Sequence, residues 1–177
     1  MELAKRLLRR SANREQTVRV EADPCDIGGS VTIPAFGPDG LLPDGVHDAT
    51  LDEVEDRFGR FQETDRRVGL FATLREFVRD LRAEGLAEAI ILDGSFVTAV
   101  ADPNDIDLLL VLRVDHDFDA ELRPSAYTLL SKKRATRRYG MDVIPVPHGD
   151  SLGEWVEHFH GVRNRPDLRK GLIRLQL

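Results

Sequence analysis

Residues 106–114 read IDLLLVLRV, a long apolar run that directly follows the turn ADPND. An apolar run of this length behind a Pro-Asn-Asp turn reads as a β-strand. Side chains on a strand alternate between faces, so Asp105 and Asp107 point to one side while Ile106 and Leu108 point to the other. Any fold of this chain must therefore hold two carboxylates together at one end of an apolar strand. Such a pair repels unless something positive sits between its members.

Other segments supply the company for this strand. Ala89-Ile90-Ile91-Leu92 is a short apolar run that stops at Asp93-Gly94-Ser95, and it reads as a second strand. Met141-Asp142-Val143-Ile144-Pro145-Val146 reads as a third, with Pro145 pushed toward the strand's end or the sheet edge because proline cannot donate to a ladder. Thr50 and Glu53 form the S/T-x-x-E box of a helix start, continued by Leu51, Val54 and Phe58 and expected to end near Gln62. From residue 65 to 84, Val68, Phe71, Leu74, Phe77, Val78 and Leu81 fall at helical spacing, with Gly85 as the stop. One further helix is expected over 125–138, broken by Gly140, and another around 154–160, before a final turn or strand at GLIRLQL. Residues 33–48 hold three prolines and three glycines and read as a turn-rich segment. The first 32 residues form an extension, a short basic amphipathic stretch followed by the loop ADPCDIGGS, so the domain proper is expected over 33–177.

Charge narrows the function. A formal charge of −6 argues against a protein that coats nucleic acid, which would need a basic surface to neutralise phosphates. Basic patches at 5–10, 131–138 and 163–174 read first as solvated faces. No apolar run approaches the roughly 18 residues that cross a bilayer, and the first ten lack a secretion signal, so a cytoplasmic protein without membrane contact is expected. The single Cys25 cannot form an internal disulfide and reads as a loop thiol.

The chemistry concentrates on the acids. Hard carboxylate oxygens suit Mg²⁺ or Mn²⁺, which keep several waters and borrow ligands from substrate phosphates. Asp142 starts a separate strand and comes alongside Asp105 and Asp107 if the two strands are neighbours. Gly94 lets backbone approach a phosphate, and Ser95 offers a hydroxyl and an N–H to phosphate oxygens. Two metals roughly 3.5–4 Å apart would activate an attacking hydroxyl and hold a triphosphate. Lys132, on the helix before the third acid, is a candidate to reach that triphosphate. Asp93 reads as a turn cap, and Pro103 and Asn104 as turn-setting residues. His148, His158 and His160 lack metal-site spacing and read as surface residues, and Trp155 with Phe159 as a pair packed on the sheet.

Together, Leu92-Asp93-Gly94-Ser95, a nine-residue spacer, Asp105-Ile106-Asp107-Leu108 and Met141-Asp142-Val143 resemble the signature of the nucleotidyltransferase superfamily that shares its fold with DNA polymerase beta. Asp93 is the one departure, lying between the hydrophobic residue and Gly94, which several small bacterial branches also tolerate. The wording of IPAFGPDGLLPDGVHDATLDEVEDRF, LDGSFVTAVADPNDIDLLLV and the late KGLI is similar to a small bacterial family of stand-alone nucleotidyltransferase-like proteins, over roughly residues 33–175. The resemblance implies an α+β fold, a short mixed sheet with helices packed on one face. It also implies Mg²⁺- or Mn²⁺-dependent transfer of an NMP from an NTP to an acceptor hydroxyl, with Asp105, Asp107 and Asp142 as metal ligands. Superfamily members modify small antibiotics, tRNA ends or protein tyrosines, and several work as toxins or antitoxins beside a partner. The basic residues Arg163, Arg165, Arg169, Lys170 and Arg174 would suit a polyanionic acceptor such as tRNA. The alternative is an inactive nucleotide- or partner-binding module on the same fold. Hydrolysis of a phosphate ester would need a base to position water, and the sequence names none.

Overall fold

A strand that is apolar at both parities needs cover on both of its faces, and two neighbouring strands here are of that kind. The computed structural model describes residues 33–60 and 64–177. Strand β1 is Gly45–Ala49, β2 is Ala87–Asp93, β3 is Ile106–Leu112, β4 is Met141–Val146 and β7 is Gly171–Gln176, and they form one sheet in the order β1-β7-β2-β3-β4. The pairs β1/β7 and β3/β4 are parallel, whereas β2 is antiparallel to both β7 and β3, so the sheet is mixed. A separate two-stranded ribbon joins β5, Gly161–Val162, to β6, Arg165–Arg169. The helices are α1 (Leu51–Val54), α2 (Arg66–Glu84), α3 (Pro124–Leu130), α4 (Lys132–Tyr139) and α5 (Asp150–His160). The fold is α+β, as the sequence implies. None of the helices is long and apolar enough to cross a membrane, among the described residues. The N-terminal extension expected over 1–32 lies outside them.

Two hydrophobic clusters lie on opposite faces of the sheet. Ile90, Leu92, Ile106, Leu108, Leu110 and Val143 belong to one, with Phe71, Leu74, Phe77, Val78 and Leu81 of α2. Ala89, Ile91, Leu109, Val111 and Leu172 belong to the other, with Phe159 of α5 buried and Leu152, Trp155 and Val156 packed against it. The expectation of helices on one face alone is therefore corrected. Because β2 and β3 alternate apolar with apolar, the second face also had to be covered, and α5 does it. Trp155 and Phe159 pack as expected, with ring centroids 6.3 Å apart.

Local signals explain most helix boundaries. The Thr50 hydroxyl accepts from the Glu53 N–H at 3.2 Å while the Glu53 carboxylate accepts from the Thr50 N–H at 2.8 Å, closing the capping box. Helix α1 then widens into a π-helical turn over Glu55–Gly59 and stops there, short of the expected end near Gln62. Gly85 closes α2 in the left-handed region, at φ 63°. The helix expected over 125–138 is two helices with Ser131 extended between them. Ala126 and Ala135 are nine residues apart, which in an unbroken helix of 3.6 residues per turn puts them on opposite sides, yet both are buried. The break brings both inward.

The apolar stripe of α2 is out of step at its start. Val68 is exposed, and the buried residue is Arg67, which has no carboxylate partner among the described residues. Its Nη1 donates to the carbonyls of Phe58 (3.3 Å) and Phe96 (2.8 Å), and its Nη2 to those of Thr98 (2.9 Å) and Val100 (2.5 Å). Neighbouring Arg66 donates to the carbonyls of Pro103, at 3.1 Å, and Asn104. The two arginines thus hold the connection 96–104 by its backbone. Arg67→Met should cost about 3–5 kcal/mol, because it leaves several buried carbonyls without a donor. Urea unfolding monitored by circular dichroism measures it, and a midpoint unchanged from wild type would refute the clamp.

Candidate active site

Strand register builds the site. Asp93, the last residue of β2, is paired with Asp107 on β3, and Asp107 is paired with Asp142 on β4. Three carboxylates therefore stand in one row across three neighbouring strands, on the sheet face that carries α5. Asp105 lies exposed one step before β3 and still adds its charge to the row. The structure brings Asp107 and Asp142 together as the sequence expects, and it adds Asp93. The turn-cap reading of Asp93 is corrected: it belongs to the strand and is buried. Its signal was parity, since Asp93 follows Ala89 and Ile91 on the same strand face, but only the β2/β3 pairing shows what it faces.

Gly94 makes this crowding feasible. Its backbone is at φ 78°, where side chains are strained, and a Cβ there would overlap the Asp107 carboxylate. Ser95 then opens a 3₁₀ turn over Ser95–Val97, and its carbonyl accepts from the Thr98 hydroxyl at 2.8 Å. With Arg66 and Arg67 gripping the following loop, both ends of the connection from Gly94 to Asp105 are fixed.

Lysines bound the row. Lys132 Nζ donates to Asp142 Oδ2 at 2.7 Å from an exposed position, as the first residue of α4. Lys170 Nζ lies 2.7 Å from Asp93 Oδ1, an ion pair between two nearly buried groups whose approach is not that of an aligned hydrogen bond. Asp107 has no such partner among the described residues. Burial pushes its carboxyl up to about 6, with the charges of Asp105, Asp93 and Asp142 adding to the rise and Lys170 opposing it. A cavity of about 250 Å³ opens over the row, lined by Asp93, Asp107 and Asp142 with Ile144, His158, Phe159 and Gly161.

Among the described residues, no group of three or more Asp, Glu, His or Cys side chains stands arranged to hold a metal ion. The donors nonetheless fit a hard divalent cation. Asp142 Oδ1 is buried without a hydrogen-bond partner, Asp107 is repelled by its neighbours, and Gly94 leaves its carboxylate room. Mg²⁺ in particular takes one or two carboxylates and completes its shell with water and phosphate.

The remaining candidates separate. Lys133 and Arg134 are exposed on α4, Arg134 stacking over Tyr127. His148 and His158 are exposed as expected, but His160 is buried, its Nδ1 2.7 Å from the Lys170 carbonyl and 3.2 Å from Asp44. Most of the basic tail is neutralised within the domain. Arg165 pairs with Asp39, Arg169 with Asp44 and Glu157, Lys170 with Asp93, and Arg174 with Asp48.

Fold and site together define an α+β domain with a carboxylate row at one end of a mixed sheet. The chain belongs to DUF6932, described as a family of unknown function, which it matches over residues 34–176. No curated protein and no solved structure matches it.

Two substitutions test the row without any ligand. Because the folded-state pKa of Asp107 is raised, the folded chain holds its proton more tightly than the unfolded chain does. Stability therefore falls as pH rises from about 4 to about 6 and stays lowered above that window. Asp107→Asn should raise stability at pH 7.5 in chelator by about 2 kcal/mol and flatten that slope, read from thermal melts across pH. Gly94→Ala should lower stability by about 1–3 kcal/mol, from strain at positive φ and the clash with Asp107. Melting of the Ala variant at the wild-type temperature would show that the turn has slack.

Proposed function

We propose that this chain is a nucleotidyltransferase that moves an NMP from an NTP to an acceptor hydroxyl and releases pyrophosphate, with Asp105, Asp107 and Asp142 holding Mg²⁺ or Mn²⁺. The observation that carries this reading is the register pairing of Asp107 with Asp142, beside a glycine that the Asp107 carboxylate cannot tolerate being replaced. The resemblance of the Gly-Ser turn, the Asp-Ile-Asp strand and the Met-Asp-Val strand to the DNA polymerase beta-like superfamily supports the same reading.

In the reaction the acceptor hydroxyl oxygen forms a bond to the α-phosphorus. The bond from that phosphorus to the bridging oxygen breaks, its electron pair leaves with pyrophosphate, and the hydroxyl proton passes to water. A bound divalent ion supplies charge neutralisation at the phosphates and makes the hydroxyl easier to deprotonate. Gly94 and Ser95 present backbone at the end of β2 where the triphosphate would lie. Lys132, exposed and held to Asp142 by one ion pair, is free to turn to a phosphate oxygen. The cavity beyond the row gives the nucleotide a wall in Ile144, His158 and Phe159.

The acceptor is an RNA or a protein hydroxyl in this proposal, and a toxin–antitoxin or defence setting goes with it. The basic tail no longer argues for tRNA, since four of its five cations are matched by acids within the domain. One observation favours the second reading, a nucleotide- or partner-binding module without turnover: Lys132 and Lys170 already offset charge in the row. Both readings are tested by titrating ATP, GTP, CTP and UTP with Mg²⁺ into wild type and Asp105→Ala/Asp107→Ala, followed by label transfer from NTP to total RNA and protein. The expected outcome is metal-dependent binding lost in the double variant, with label in one acceptor class. Binding without transfer selects the inactive nucleotide-binding module, and no binding in wild type sinks the metal-site reading and leaves a partner-binding module.

A further inference from the structure

We propose that Lys170 is a built-in cation of the carboxylate row, fixed on the Asp93 side of Asp107, so that the site takes one divalent ion, on the Asp142 side, instead of two. The inference rests on the metal-site reading above. The sheet order places β7 beside β2 and β4 beyond β3, so the row runs Lys170, Asp93, Asp107, Asp142, Lys132. A second ion shared by Asp107 and Asp93 would take the flank that Lys170 already occupies.

The two lysines are not equivalent. The Lys132 side chain is 63% exposed and that of Lys170 only 15%. The backbone of Lys170 is also pinned to buried His160 in both directions: its N–H donates to the His160 carbonyl at 2.9 Å, and its carbonyl lies 2.7 Å from His160 Nδ1. Withdrawing Lys170 would strand Asp93, a nearly buried carboxylate whose Oδ1 has no hydrogen-bond donor among the described residues. Withdrawing Lys132 costs little, because an exposed ion pair is weak and its ammonium returns to water. Lys132 is therefore a placeholder that a divalent ion displaces from Asp142, whose buried Oδ1 has no hydrogen-bond partner among the described residues. Lys170 stays.

The test counts Mn²⁺ bound to the full chain, without nucleotide, by native mass spectrometry and electron paramagnetic resonance. Wild type is expected to bind one ion, Lys132→Met one ion more tightly, and Lys170→Met two. Lys170→Met/Asp93→Asn should return to one. Asp93→Asn alone preserves shape but removes an anion beside Asp107 and leaves Lys170 unpaired, so it should still bind one ion, more weakly than wild type. Two ions in wild type, one in Lys170→Met, or unchanged or tighter binding in Asp93→Asn would each overturn the role of Lys170 while leaving a metal site standing. No ion in wild type would instead remove the metal-site reading itself and this inference with it.

Discussion

Three aspartates can stand side by side in a sheet only if the strands that carry them cannot slip. A shift of one residue in β3 would turn Asp107 into the α2 core and bury its carboxylate among apolar side chains. Leu108, Leu109, Leu110, Val111 and Leu112 are all buried, so both faces of β3 resist such a shift. The carboxylate row is thus paid for by the hydrophobic burial around it, and the repulsion it contains is a local cost that the core sustains. Lysines at either end reduce that cost, one from a helix start and one from the approach to the last strand.

The same logic extends to the loop beyond the row. Residues 96–104 connect two strand ends that both carry acids, and loose backbone there would blur the position of Asp105. Arg66 and Arg67, consecutive at the start of α2, take hold of carbonyls along that loop. A guanidinium is suited to this because its donors fan out in one plane and can serve several acceptors at once. Burial without a carboxylate pulls the affinity of Arg67 for its proton down, yet arginine remains charged, so the clamp does not switch off with pH.

On the face that α5 covers, the helix stops where the row begins. Its last turn contributes His158 and Phe159 to the cavity wall, and the ribbon of β5 and β6 begins at Gly161 on the same rim. The ribbon and tail are stitched to the β1 side by Arg169 with Asp44 and Arg174 with Asp48, the latter pair at 2.5 and 2.7 Å. Cations that look available for a polyanion in a linear reading are spent on holding β7 next to β1.

The sequence by itself determined the elements whose causes are local. The capping box at Thr50, the glycine stops at Gly85 and Gly140, and the strand 141–146 follow from propensity and side-chain alternation within a few residues. What the tertiary structure decided depends on contacts distant in sequence. Gly45–Ala49 carries weak strand signals and becomes a strand because β7 pairs with it, and GLIRLQL enters the middle of the sheet because β2 offers a free edge. Asp93 and Lys170 are 77 positions apart, and nothing near either one announces the other. Arg67 replaces Val68 in the buried stripe because unpaired carbonyls of a remote loop need a donor more than the core needs another methyl group. Periodicity reports which side chains share a face, but which charges end up adjacent is set by strand order, and strand order is a property of the whole sheet.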